Sequence, residues 1–461
     1  MPLIKSISGI RGTIGGKSGQ GLNPIDIARY TCAYAQWLKE QNPGARCRAV
    51  VGRDARISGP MVSQIIQASL MGSGVDVIDL NLATTPTVEM AVIHEKAHGG
   101  IIITASHNPR QWNALKLLNH LGEFLSNDQG ARVLSLADSN QIDFPDVDNL
   151  GTRIVLPNSL DNHIEAILAL PLVDSRAISA ANLSVVIDCV NSVGGVALPP
   201  LLRALGVKQV HELYTVPNGE FPHNPEPLPE HLTEISAEVM RTKANLGFVV
   251  DPDVDRLAII CEDGSMFGEE YTLVAVADYV LTHTPGNTVS NLSSTAALRD
   301  VTLRHGGIYT ASAVGEVNVV AQMKATNAVI GGEGNGGVIY PPLHYGRDAL
   351  VGIALFLSHY VKMGLPCSHL RSCYPNYFMS KNRIDIDAGT NPADILDRVK
   401  AHFAHQPLND ADGLRIDFPG HWVHLRQSNT EPIIRVYAES GSAEQANKLA
   451  SDMMGTIRSL M

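Results

Sequence analysis

Ile101-Ile102-Ile103-Thr104-Ala105-Ser106-His107-Asn108-Pro109 is the stretch on which the fold turns. Consecutive β-branched residues after Gly99-Gly100 predict a buried strand. That strand gives way at once to small polar residues and a proline, which puts Ser106 on a loop at the strand's carboxyl end. In open α/β sheets ligands bind at that edge. A serine beside a histidine on such a loop is either a nucleophile or part of a polar turn that only ends a strand. The stretch alone leaves both readings open.

The flanking sequence alternates strand and helix. Asn23 and Pro24 predict a capped helix start, with the helix running to about Gln41. A strand over Arg48–Val51, a helix over Pro60–Gly72, a strand over Val75–Leu80 and a helix over Thr87–Ala97 then lead back to the opening strand. Such alternation calls for a parallel or mixed sheet. Similar strand, small-residue loop and helix openings recur at Leu183–Leu205 and Thr288–His305, which predicts three similarly built α/β domains. From about Asn376 onward the pattern changes to strands near Arg383–Ile386, His421–Arg426 and Ile433–Glu439, with helices over Ala393–Phe403 and Ala443–Leu460. That is a smaller α+β domain.

A chain of 461 residues exceeds one ordinary core. Its net charge of −11 and lack of a basic tract argue against a nucleic-acid binder. Six scattered cysteines without a CxxC pair suit reduced thiols in the cytoplasm. No secretion signal opens the chain, and no apolar run is long enough to span a bilayer, so a cytoplasmic protein without a membrane partner is expected.

Chemistry concentrates in the remaining motifs. Asp251-Pro252-Asp253-Val254-Asp255-Arg256 lies between two apolar runs, and close carboxylates need a counter-charge. Oxygen donors suit Mg²⁺ or Mn²⁺. A calcium EF-hand loop fails because Arg256 stands where glycine is required, which leaves an acidic surface turn as the alternative. Gly332-Glu333-Gly334-Asn335-Gly336-Gly337 has the glycine spacing of a dinucleotide fingerprint. No helix follows it, since Val338-Ile339-Tyr340 leads into Pro341-Pro342. A loop exposing Glu333 and Asn335 suits vicinal sugar hydroxyls, or it is a ligand-free glycine turn. Arg426-Gln427-Ser428-Asn429-Thr430-Glu431-Pro432 with Arg435 gathers cations and hydroxyls as a phosphate cradle would, or is a polar turn with incidental arginines. Arg11 and Lys116 are further cations near the Ser106 loop.

Together these motifs resemble the α-D-phosphohexomutase family along the whole chain and in the same order. Thr104–Pro109 is similar to its phosphoserine loop, Asp251–Arg256 to its metal loop and Gly332–Gly336 to its sugar loop. Arg426–Arg435 is similar to its phosphate loop, and Ser8-Gly9-Ile10-Arg11-Gly12 to its amino-terminal signature. The resemblance implies four domains around a central cleft, divided as 1–150, 151–261, 262–374 and 375–461. It implies that phosphorylated Ser106 exchanges its phosphoryl group with a hexose phosphate by way of a hexose 1,6-bisphosphate, which also serves as activator. One Mg²⁺ would be held by Asp251, Asp253, Asp255 and Ser106. Lys116 and His107 would handle protons or charge, with Arg11 and Arg256 positioning phosphoryl oxygens. Glu333, Asn335 and Glu316 would bind the sugar, while Arg426, Ser428, Asn429, Thr430 and Arg435 would anchor the phosphate that is not reacting.

Two departures bear on the substrate. Asn335 stands where many relatives have serine, and Glu316 where glucose and mannose mutases commonly have histidine. An acidic Glu316 suits an amino sugar, and the Arg-x-Ser-Asn-Thr-Glu-Pro form looks like phosphoglucosamine mutases of the archaeal-like branch. Glucosamine 6-phosphate to glucosamine 1-phosphate is therefore the expected reaction, with phosphoglucomutase/phosphomannomutase activity as the alternative. Other classes are a metal-dependent sugar phosphatase and a non-catalytic sugar-phosphate sensor. The expected state is a homodimer or a monomer.

Overall fold

A computed structural model describes residues 3–6, 9–139, 142–386, 391–427 and 433–461. The chain forms two compact units, one comprising Met1–Thr272 with Gly336–Leu370, the other Leu273–Asn335 with Arg371–Met461.

The first unit begins with seven strands: β1 (Ile4–Ser6), β2 (Gly9–Thr13), β3 (Arg48–Arg53), β4 (Asp76–Leu82), β5 (Gly99–Ile103), β6 (Trp112–Leu118) and β7 (Arg153–Val155). Their order is β1-β2-β6-β5-β3-β4-β7. β5, β3, β4 and β7 run parallel, whereas β6, β2 and β1 join by antiparallel pairs, so the sheet is mixed. The expected opening strand is β5, at the centre and buried along its length. Side-chain alternation splits its isoleucines between two cores. Ile101 and Ile103 join Ala49 and Val51 against helix α1 (Pro24–Gln41) and helix α2 (Gly59–Gly72). Ile102 joins Val50 against Val88 and Val92 of helix α3 (Thr85–His94). Full burial of each such side chain contributes about 1.5–3 kcal/mol.

Gly99 and Gly100 open β5, where no side chain would fit. A Cβ on Gly99 would lie 2.2 Å from the Tyr34 hydroxyl, which donates to the Leu118 carbonyl at 2.6 Å. Helix α1 begins as expected, with Asn23 Oδ1 accepting from Ile25 and Asp26 N–H groups. Helix α3 starts two residues earlier than its sequence suggests. Thr84 caps it by accepting from Thr87 N–H, and Pro86 sits in the first turn, where a missing N–H costs nothing.

The same unit carries β8 (Ser184–Asp188), β9 (Gln209–Leu213), β10 (Leu246–Val250) and β11 (Leu257–Cys261), in the order β11-β10-β8-β9. β10 and β11 form an antiparallel pair whose connection is the aspartate loop. The buried helix Ala349–Met363 also belongs to this unit, with Phe356 packing edge-on against Phe267.

In the second unit β12 (Asn287–Asn291) lies parallel to β13 (Tyr309–Ser312) and β14 (Ala328–Glu333). β15 (Gly337–Ile339) returns the chain to the first unit. The carboxyl-terminal sheet is antiparallel, with β16 (Phe378–Asp385), β17 (Leu408–Asn409), β18 (Leu414–Phe418), β19 (His421–Gln427) and β20 (Ile433–Ser440) in the order β16-β20-β19-β18-β17. Helices Pro392–His402 and Ala443–Leu460 cover its core. No helix among the described residues is long and apolar enough to cross a membrane.

Candidate active site

The Ser106 loop is held from beneath. Thr104 Oγ1 accepts from Ser106 N–H at 3.0 Å and donates to Asp54 Oδ2 at 2.7 Å. Ser106 adopts φ +47°, a left-handed conformation uncommon for a residue with a side chain. Arg56, wholly buried, reaches across the loop. Its guanidinium donates to Asp54 Oδ2 and to the carbonyls of Ser106, Asn108, Pro109 and Trp112, at 2.5–3.0 Å. Burial raises the Asp54 pKa, and the Arg56 charge opposes that rise.

Ser106 Oγ donates to Asp251 Oδ2 at 2.8 Å and lies 3.4 Å from His107 Nδ1. The chain between β10 and β11 turns tightly enough to gather Asp251, Asp253 and Asp255, all fully buried, with ligand atoms within 4.8 Å of one another. Val254 at its apex has φ +64°, a strained value for a β-branched residue and a common feature of functional loops. Asp251 Oδ1 accepts from the N–H groups of Asp255 and Arg256.

Cations surround the triad. Lys116, on β6, donates to Asp253 Oδ2 at 2.7 Å and lies 3.6 Å from Asp255 Oδ2. Arg347 donates to Asp255 Oδ2 at 2.7 Å. Arg256 Nε is 3.8 Å from Asp255 Oδ1 and 4.0 Å from Asp251 Oδ2. Thr85, at the start of α3, clamps Asp253 twice, through its hydroxyl at 2.7 Å and its N–H at 2.9 Å. Burial raises the Asp251 pKa, and Asp255 and Asp253 add to the rise. For Asp253 burial acts in the same sense, but Lys116 and Thr85 outweigh it and hold the carboxyl low. Burial alone would lower Lys116; the two carboxylates raise it above an ordinary lysine. His107 is lowered to about 2, by burial and then by Arg256.

The donor set fits a hard divalent cation. It is oxygen-only, and Asp253 Oδ1 and Asp255 Oδ1 are buried with no hydrogen-bond partner among the described residues. Buried orphan carboxylate oxygens are costly unless something positive meets them.

Sequence reasoning therefore named Ser106, His107, Lys116, Arg256 and the aspartates, which the structure brings together. Arg11 lies on β2, paired with Ala114 of the strand that carries Lys116. Arg56, Thr85 and Arg347 went unnoticed as site residues, and so did Glu226, whose carboxylate is 3.9 Å from both His107 Nε2 and Arg256 Nη1. Nothing local marks them; Thr85 lies 168 residues from Asp253 along the chain.

The second unit has its own polar cluster. Glu333, ending β14, accepts through Oε1 from Asn291 Nδ2 at 2.8 Å and from Gly315 N–H at 3.1 Å. Ser294 accepts from Gly334 N–H at 3.1 Å, and Glu316, buried, begins the helix Glu316–Thr326 that precedes β14. Asp412 ties this loop to the basic motif: its Oδ2 accepts from Val314 N–H at 3.0 Å and lies 2.8 Å from Arg426 Nε. Asn335 falls in the turn between β14 and β15. Ser428, Asn429 and Thr430 lie outside the described residues. Arg426 and Arg435 are directly opposed across β19 and β20, and Arg383 of β16, which sequence reasoning passed over, is opposed to Arg435. Opposed residues project to one face, so the guanidiniums form a row across three strands. Like charges in that position repel, and an anion relieves them.

Family models match in chain order. They are described as phosphoglucomutase/phosphomannomutase, alpha/beta/alpha domains I, II and III, over residues 4–142, 161–264 and 268–377, and the C-terminal domain, over residues 387–456. A phosphoglucomutase/phosphomannomutase of Thermococcus kodakarensis is 34% identical, covering 95% of this chain and 96% of its own. The chain belongs to the α-D-phosphohexomutase family. A probable phosphoglucosamine mutase of Methanopyrus kandleri is 30% identical, covering 98% of this chain and 97% of its own. Among solved structures, a phosphoglucomutase/phosphomannomutase family protein from Burkholderia thailandensis superposes with a TM-score of 0.84 at 25% identity, covering 99% of this chain and 98% of that one. The phosphohexomutase relatives thus share architecture and differ in the sugar their names carry.

Proposed function

We propose that this phosphohexomutase interconverts hexose 6-phosphate and hexose 1-phosphate through phosphorylated Ser106 and a hexose 1,6-bisphosphate, with glucosamine phosphate as preferred substrate. The observation that carries the reading is the 2.8 Å approach of Ser106 Oγ to a buried aspartate triad.

In the proposed cycle a substrate hydroxyl attacks the phosphorus on Ser106. The phosphorus–Oγ bond breaks as the new phosphorus–oxygen bond forms, and the hydroxyl proton passes, by way of a neighbouring base, to the departing Oγ. Beyond the Asp251 carboxylate, assigned to the cation, the His107 ring lies 3.4 Å from Oγ. Lys116, held between two carboxylates, keeps its charge and faces the phosphoryl oxygens together with Arg256 and Arg11. Mg²⁺ bound by Asp251, Asp253 and Asp255 would neutralise charge on the transferring group. The bisphosphate then turns over and returns its other phosphoryl group to Ser106. Glu333 and Asn335 hold sugar hydroxyls in either orientation, and Arg426, Arg435 and Ser428–Thr430 anchor the phosphate at rest. Glu316 favours the ammonium of an amino sugar, and the domains divide near residues 150, 261 and 374. Six free thiols suit a reducing compartment, and we place the enzyme in the cytoplasm.

A substrate panel tests the reading: glucosamine, glucose, mannose and N-acetylglucosamine phosphates, followed by isomer exchange and by released inorganic phosphate. The highest kcat/KM is expected for glucosamine phosphate, without net phosphate release. Preference for glucose or mannose phosphate overturns the amino-sugar assignment, and steady phosphate release overturns the mutase.

A further inference from the structure

Behind the aspartate loop lies a second buried polar cluster, made of Thr84, Thr87, Glu89, His163, His344 and Asp348. The Thr84 and Thr87 hydroxyls are 2.7 Å apart, and Thr87 Oγ1 is 3.0 Å from His163 Nδ1. His163 Nε2 reaches Asp348 Oδ2 at 3.0 Å, and His344 Nε2 reaches the same oxygen at 3.4 Å. His344 Nδ1 is 3.3 Å from Glu89 Oε2. The other oxygen of Asp348 caps helix Ala349–Met363, accepting from Leu350 and Val351 N–H groups. Assigning protons from these partners, Thr87 donates to His163 Nδ1, His163 donates from Nε2, and His344, as an imidazolium, donates from Nε2 and turns Nδ1 toward Glu89 as an ion pair. Its pKa agrees: burial lowers it, but Asp348 and Glu89 raise it to about 10. Hydrogen bonds run from Thr84 to His344 and an ion pair carries the chain on to Glu89, so the cluster reads as a brace.

Both ends of the brace touch the aspartate loop. Thr85 stands between Thr84 and Thr87 on α3 and grips Asp253. Arg347 immediately precedes Asp348 and grips Asp255. The backbone between is packed without slack: a Cβ on Gly346 would lie 1.9 Å from Glu89 Oε2, and Ala349 N–H donates to the Val254 carbonyl at 3.2 Å. Two clamps on two neighbouring carboxylates therefore share one buried anchor, although they come from segments about 260 residues apart. The cycle proposed above does not use any member of this cluster.

We propose that the Thr87–His163–Asp348–His344–Glu89 network is a positioning device for the cation site, holding Thr85 and Arg347 so that Asp253 and Asp255 converge. This rests on the reading of the aspartate triad as a cation site. Outer partners of metal ligands typically change metal affinity about 10–100-fold when removed. The test uses the full chain and Mn²⁺ as probe, its Kd read by electron paramagnetic resonance, alongside the Mg²⁺ dependence of turnover and Tm. His163→Leu and Asp348→Asn should each raise the Mn²⁺ Kd about tenfold or more, with kcat recovering at saturating Mg²⁺. Thr87→Val, which removes only a hydroxyl, should act in the same direction if the larger changes prevent folding. His163→Gln, whose amide can still donate to Asp348, should restore part of the affinity. Val92→Ala, a buried change on the same helix outside the network, should lower Tm and leave the Kd alone. Unchanged Kd in His163→Leu, Asp348→Asn and Thr87→Val, while Asp251→Asn abolishes binding, overturns the positioning role and leaves the cation site standing. Mn²⁺ binding that survives Asp251→Asn overturns the cation site itself.

Discussion

Arg56 offers the sharpest test of how the Ser106 loop is built. Arg56→Ala removes five hydrogen bonds at once and leaves Asp54 without its counter-charge in a fully buried position. Two costs compete. Orphaning one member of a buried ion pair is worth about 3–5 kcal/mol. The four freed carbonyls, from Ser106, Asn108 and Pro109 of the loop and Trp112 at the start of β6, belong to partly exposed residues and can regain water, so their share is smaller. The Asp54 term dominates, and a loss of about 4 kcal/mol is expected. With an unfolding entropy of about 2.1 cal/mol/K per residue, spread over the roughly 300 residues of the first unit, that is a Tm drop of about 6 °C. Calorimetry of the full-length protein reads it directly. Arg56→Lys separates charge from geometry: an ammonium still neutralises Asp54 but cannot reach all the carbonyls, so Tm should recover most of the loss while kcat stays low. If Arg56→Ala leaves both Tm and kcat unchanged, the guanidinium is not what shapes the loop.

Ser106→Ala should reduce turnover by about 10³-fold or more while sugar-phosphate binding by calorimetry persists; substantial residual exchange would refute the phosphoserine cycle. Chelation by EDTA should stop turnover and added Mg²⁺ restore it, and indifference to EDTA would remove the aspartates from the mechanism. His344 gives a pH signature in stability. Its folded pKa is raised to about 10 by Asp348 and Glu89 against burial, so its stabilising contribution is complete below the unfolded value near 6.5. It fades as pH climbs toward 10. A Tm series from pH 6 to 10 should fall more steeply for the native chain than for His344→Phe, and parallel slopes would contradict the imidazolium assignment.

Much of this architecture is written locally. Asn23-Pro24 marks a helix start by chemistry that acts within one turn, and Asp251-x-Asp-x-Asp crowds charges within one loop, so both are legible without a partner. Helix α3 starts two residues before the expected Thr87 because Thr84 caps it and makes Pro86 a first-turn residue. β6 carries Asn113 and Lys116 among apolar residues and breaks the simple alternation of a strand; it is buried as an inner strand between β2 and β5. Thr85, Arg347 and Arg56 act through contacts closed only by folding, and no spacing rule links a residue on one strand's exit to a carboxylate in another sheet. Arg383 became visible only once register placed it opposite Arg435.

The left-handed backbone of Ser106 has a consequence for chemical substitution at this hydroxyl. Threonine offers the same hydroxyl and is the obvious stand-in for serine. Its second branch, however, is poorly tolerated at φ +47°, where the backbone crowds Cβ. A threonine there would either pull the loop away from Asp251 or place its methyl group where the cycle proposed above needs room for phosphoryl oxygens. The choice between two chemically equivalent alcohols is thus settled by a single torsion angle, one residue beyond the end of the strand and its Thr104-Ala105 exit.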